Sequence, residues 1–167
     1  EWLKPTGQSL EALRRAIDQN LSNHAFALDP SIRISISVDV ERIRRSVANV
    51  VGVLPGQDAA LKQQAIVVGA HYDHLGLGDE HSLAPSLIGR IHPGADDNAS
   101  GSSGVLELAR GLAERRSELK RSIVLVAFAG EETGLLGSNY YTSHPVVPLD
   151  QTIAMINLDM IGRISKN

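Results

Sequence analysis

Three short runs of nearly unbroken apolar residues set what this chain can fold into: "QAIVVGA" at 64–70, "RSIVLVAFAG" at 121–130 and "QTIAMINLDMIG" at 151–162. A strand with one wet face alternates polar and apolar residues, whereas a continuous apolar run reads as a strand covered on both faces. Between the first two runs lies "SSGVLELARGLAERRSEL", with Val105, Leu108, Ala109 and Leu112 on one helical stripe. Between the last two lies "TGLLGSNYYTSH", a short helix. Strand–helix alternation with buried strands predicts an α/β fold: a three-layer sandwich whose central mixed, largely parallel β-sheet is flanked by helices.

The first 46 residues have another texture. "SLEALRRAIDQNLS" carries Leu10, Leu13, Ile17 and Leu21 at helical spacing. "SIRISISVDV" alternates strictly, which predicts a half-buried strand over 31–40. "SVANVVGVLPG" predicts a second strand closed by a Pro-Gly turn and paired with the first. The expectation is one catalytic domain over 1–167, in which 1–46 leads into a core at 47–167. A 43% hydrophobic content with 21% charged residues fits a globular chain. The net charge of -3 offers no basic excess for nucleic acid or an anionic membrane, and no apolar run reaches the length of a membrane span. Cysteine is absent, so any metal must be held by His, Asp or Glu. The start, "EWLKPTGQSL", has neither Met nor the pattern of a signal peptide, which suggests a trimmed piece of a longer protein.

In α/β sheets ligands bind beyond the carboxyl ends of the strands. Here each such end delivers acids or histidines: "HYDH" (71–74) after the first run, Glu131 and Glu132 after the second, Asp159 in the third, and Asp96 and Asp97 in "GADDNASG" before the long helix. His71 and Asp73 are two apart and face the same side of an extended segment. A metal-bound His commonly donates its other ring N–H to a carboxylate, and His-x-Asp can supply both groups. Adjacent acids point in different directions, so one of a pair can bind metal while the other acts as a base. Each feature also has a plain alternative. Asp97, Asn98 or Ser100 can cap the helix, Glu131–Glu132 can be a solvated helix start, Asp159 a turn residue and His71 a buried histidine. A calcium loop and a P-loop are disfavoured, because the alternating acids of the one and the GK[ST] of the other are missing. His24, His81, His92 and His144 are expected at the surface, Tyr140 and Tyr141 in packing, and His74 stands beside the site without a role.

Together, "VVGAHYDHLG", "HPGADDNASG", "AFAGEETGLLGS" and "INLDMIG" resemble the co-catalytic zinc exopeptidases of metallopeptidase family 28 (clan MH), over residues 47 to 162. The resemblance implies a zinc-dependent aminopeptidase, secreted or periplasmic, that removes N-terminal residues from peptides, with two Zn2+ per site. By resemblance the metal ligands are His71, Asp96 as the bridge, Glu132 and Asp159. Asp73 lies behind His71, and Glu131 is the general base. Asp97 holds the loop, joined to Asp96 by a cis peptide. The family's second zinc takes a further His downstream of "NLDM", which this sequence does not contain; the second site then holds only Glu132 and Asp96. The C-terminal part of the family fold would be missing too, leaving a sheet edge open to self-association. Two alternatives stand beside the aminopeptidase: an impaired or non-catalytic fragment of the same fold, and a single-zinc glutaminyl cyclase.

Overall fold

A computed structural model describes residues 3–41, 43–79, 82 and 84–163, so His81 lies outside the described residues. The chain divides into two compact units, Glu1–Arg44 and Arg45–Asn167.

In the first unit, helix α1 spans Leu10–Asn20. It starts at Ser9, whose hydroxyl accepts the Ala12 N–H at 3.1 Å and so satisfies one of the free donors of the first turn. It stops at Leu21, which turns left-handed at φ 52. The strand expected over 31–40 does not form. Ile34, Ile36, Val38 and Val40 alternate as required but stay exposed. Alternation specifies two faces, yet a strand also needs a neighbour to complete its backbone ladder, and among the described residues nothing pairs with this segment.

The second unit holds strands β1 (Val50–Leu54), β2 (Ala65–His71), β3 (Ser122–Phe128) and β4 (Thr152–Asn157), with helices α2 (Gly101–Glu114) and α3 (Leu136–Ser143). The sheet order is β1-β3-β2-β4. β2 runs parallel to both β3 and β4, and β1 is antiparallel to β3. The second expected strand therefore exists as β1, but its partner is β3 rather than 31–40.

The two inner strands follow the pleat. Ala65, Val67, Val124, Val126 and Phe128 pack on one face with Tyr141 of α3. Val68, Ala70, Ile123 and Leu125 pack on the other with Val105, Ala109 and Leu112 of α2. Helices thus cover both faces, as the apolar runs require. Val124 and Val126 are fully buried, and each such side chain contributes about 1.5–3 kcal/mol, so the β2–β3 pair anchors the unit. Two expectations about burial need correcting. β4 is an edge strand with Ile153, Met155 and Ile156 about half exposed, because among the described residues it has a neighbour only on the β2 side. Leu108 is exposed as well; the stripe of α2 that meets the sheet is Val105, Ala109 and Leu112.

Candidate metal centre

The parallel register brings three strand ends to one rim. His71 closes β2 opposite Phe128, the last residue of β3, and Gly69 pairs with Asn157, the last residue of β4. Glu131 and Glu132 follow β3 and Asp159 follows β4, so carboxylates from distant segments converge on His71 without any local motif holding them.

His71 is buried at 4% exposure. Its Nδ1 lies 3.1 Å from the backbone carbonyl of Asp73. A carbonyl only accepts, so that contact puts the ring proton on Nδ1 and leaves the Nε2 lone pair facing the rim. Nε2 stands 3.3 Å from Asp97 Oδ1, 3.6 Å from Asp159 Oδ1 and 4.0 Å from Glu131 Oε2. The Asp73 carboxylate is 3.9 Å from Nδ1 and serves a different purpose. Its oxygens accept the backbone N–H groups of Glu131 and Glu132 at 3.1 and 3.3 Å. It fixes the turn after β3, whereas its expected partner was the His71 ring.

The two aspartates of the loop face the opposite way from that expected of them. Asp96 faces away from the rim. Its Oδ1 accepts from the Gly162 N–H at 2.9 Å and the Ser100 hydroxyl at 3.1 Å, and its Oδ2 pairs with Arg163 Nε at 2.8 Å. Asp97 faces His71. The segment Ala95–Ser100 is an irregular turn, with Asp97 at φ -108, ψ 91 and Asn98 at φ -135, ψ 43. That backbone sends the second carboxylate to the rim and the first toward 162–163. The cis peptide lies at Asp97–Asn98 instead of Asp96–Asp97.

Asp97 offers its two oxygens to two groups. Oδ1 joins His71 and Asp159. Oδ2 lies 3.9 Å from His74 Nδ1, which is itself 2.7 Å from Glu132 Oε1. Within each trio, His71–Asp97–Asp159 and His74–Asp97–Glu132, the donor atoms lie within 4.8 Å of one another. Glu131 belongs to neither trio. Its carboxyl is pushed above the ordinary glutamate value, first by burial; His71 opposes this, while Glu132, Asp159 and Asp73 add to the rise.

Asn98 is the residue whose importance was least legible, since it was weighed only as a cap. It is 2% exposed. Its Nδ2 donates to the Leu158 carbonyl at 2.9 Å, and its Oδ1 accepts from Gly101 N at 2.9 Å and Met160 N at 3.3 Å. One side chain therefore caps α2 and ties the Asp97 turn to the segment carrying Asp159. Gly101 permits this, because a Cβ there would collide with the Leu158 carbonyl and the Asn98 side chain. Ser102 adds a bond from α2 to the His71 carbonyl at 2.9 Å. Of the other histidines, His144 is exposed, stacked on Tyr140 at 4.3 Å, and His24 is half-buried. His92 is buried, contrary to expectation, because the loop after β2 folds back over it through His92 N to Gly76 O. Tyr141 packs edge-on against Phe128 as expected, while Tyr140 lies open at the surface.

A cleft of about 230 Å³ opens beside the first trio, lined by His71, Phe128, Glu131, Leu135, Met155 and Asp159 among others. A larger groove along α3, about 560 Å³, carries no carboxylate. The acids thus line the smaller cleft and not the larger groove.

Comparison with known proteins places the chain in a family. The profile of peptidase family M28 matches residues 49–167. A probable leucine aminopeptidase of Trichophyton verrucosum is 36% identical over 118 residues, which is 68% of this chain and 29% of that protein. Aminopeptidase YwaD of Bacillus subtilis is 36% identical over 116 residues, 68% of this chain and 22% of that protein. Among solved structures, a zinc aminopeptidase of Bacillus subtilis superposes with a TM-score of 0.50 at 35% identity, over 68% of this chain and 24% of that one. A glutaminyl cyclase of Bacteroides thetaiotaomicron gives 0.54 at 25% identity, over 68% and 41%. The chain thus spans under a third of the length of these two curated relatives. It belongs to peptidase family M28.

Proposed function

We propose that the protein is a zinc-dependent aminopeptidase and that the rim of β2, β3 and β4 is its active site. The observation that carries this reading is the Asp97 carboxylate, which turns one oxygen to each of two donor trios beside a carboxylate, Glu131, that joins neither.

The donors suit zinc. It takes His nitrogen and carboxylate oxygen at about 2.0–2.2 Å in tetrahedral sites, which spaces neighbouring ligands by about 3.3–3.6 Å. His71 Nε2 stands 3.3 and 3.6 Å from its two acidic partners. In this reading His71 and Asp159 would hold an inner zinc, Glu132 an outer one, and Asp97 would offer an oxygen to each. When bound, zinc polarises a peptide carbonyl and lowers the pKa of a water.

The chain's own groups do the rest. The Asp73 carbonyl keeps His71 in the tautomer that presents Nε2. The Asp73 carboxylate holds the backbone of Glu131 and Glu132, so the two side chains diverge from a fixed turn. Glu131 takes the proton of the attacking water and returns it to the leaving amine. Its raised pKa brings it nearer to neutrality, where a proton can be both accepted and released. Leu135, Phe128 and Met155 give the cleft an apolar wall beside these acids, which suits a peptide with an apolar end residue. An extracytoplasmic site of action follows the family resemblance.

The test is hydrolysis of leucine p-nitroanilide before and after removal of metal by a chelator. Activity should vanish on chelation and return with added zinc, and the N-acetylated substrate should resist. Chelator-insensitive hydrolysis would sink the reading. Cyclisation of an N-terminal Gln peptide with no release of free amino acid would favour a glutaminyl cyclase instead.

A further inference from the structure

The outer trio contains a residue, His74, to which the reading above gives no role. We infer that His74, through Nδ1, is a direct ligand of a divalent cation on the outer side of Asp97, making with Glu132 and Asp97 a three-residue metal site. The inference rests on the metal-hydrolase reading above and deepens it.

Two observations independent of sequence motifs support it. First, Nδ1 of His74 and Oε1 of Glu132 are shielded from solvent, and neither has a hydrogen-bond partner. They lie 2.7 Å apart as an imidazole–carboxylate pair. Leaving a shielded polar atom without a partner is unfavourable, and a cation between them would satisfy both. The ligand spacing expected of zinc, about 3.3–3.6 Å, falls between the 2.7 Å to Glu132 and the 3.9 Å to Asp97.

Second, the ring is held where it stands. Gly94, left-handed at φ 61, packs against it so closely that a Cβ would come within 2.9 Å of His74 Cβ and Cγ. The His92 ring lies 5.9 Å away at 50°, and His92 is itself buried against Gly78. The loop between β2 and α2 thus closes on His74 from one side and leaves Nδ1 toward the acids.

The experiment is calorimetric titration of the metal-stripped protein with Zn2+, comparing wild type, H74A and H74Q. Wild type should bind an inner and an outer zinc. Both variants should keep the inner affinity and lose the outer by more than about 100-fold, beyond the roughly 10–100-fold lost when only a supporting partner is removed. H74Q fills the same space, so it separates ligand loss from collapse of the loop, and circular dichroism of the metal-free forms checks the fold. A smaller fall would make His74 a positioning residue for Glu132 and overturn the inference. So would unchanged binding of both ions, or a single zinc lost in H71A and kept in H74A; either leaves the hydrolase reading standing. Failure of wild type to bind zinc at all refutes that reading itself.

Discussion

Replacing Glu131 with Gln should lower turnover of a leucine anilide by about 10²–10⁴-fold, the usual contribution of a general base, while zinc remains bound. Glu131 is set apart from every other acid of the rim by geometry. It approaches His71 Nε2 only to 4.0 Å and joins neither donor trio, yet it faces the same cleft. Gln keeps its shape and removes its basicity. Zinc content measured on the same sample separates loss of the base from loss of the metal. Unchanged activity, or zinc lost together with activity, would contradict the assignment. The variant carries a second signature in the metal-free protein. Burial and the neighbouring carboxylates raise the Glu131 pKa above its unfolded value, so folding favours the protonated form. That advantage is fully present below the unfolded pKa and is lost as pH rises through the folded one. Gln imitates the protonated form. Metal-free E131Q should therefore melt above metal-free wild type at neutral pH, and the two melting curves should converge as pH falls below the ordinary glutamate range.

The two loop aspartates should respond in opposite ways. Asp97→Asn removes the carboxylate whose oxygens face both trios, so both zinc ions should be lost or bound far more weakly, and activity with them. Asp96→Asn should leave zinc binding nearly unchanged. Asp96 accepts from Gly162 N and Ser100 and pairs with Arg163. The amide keeps one acceptor oxygen, and Arg163 is largely exposed, where an ion pair contributes about 1 kcal/mol or less. Its loss should appear as a small drop in melting temperature. Zinc stoichiometry of the two variants, side by side, decides which aspartate is the bridge. Retention of zinc by D97N with loss by D96N would restore the assignment suggested by the family resemblance.

What the sequence made legible follows from how much each feature depends on neighbours. β2 and β3 are written in residues 65–71 and 122–128 themselves, because only a strand covered on both faces tolerates "AIVVGA" or "SIVLVAF". Once those strands are parallel, the rim is fixed, and His71, Glu131, Glu132 and Asp159 must meet there. The choice between Asp96 and Asp97 was not legible. Adjacent residues point apart, and which one faces the metal depends on the backbone of the Ala95–Ser100 turn. Asn98 was hidden for a similar reason: its partners Leu158 and Met160 lie about sixty residues away. His74 and His92 could not be placed without the loop that folds over them. The expected strand at 31–40 failed in the opposite way, since a perfect alternation says nothing about whether a partner strand is there to receive it.

An anomalous difference map at the zinc edge, from crystals of the zinc-loaded protein, would show whether Asp97 is shared between two zinc ions at the end of β2. One peak should lie about 2.0–2.2 Å from His71 Nε2, Asp97 Oδ1 and Asp159 Oδ1. Another should lie on the Oδ2 side of Asp97, roughly 3.5–4 Å from the first. A rim without zinc, or zinc held by Asp96 while Asp97 points elsewhere, would contradict that sharing.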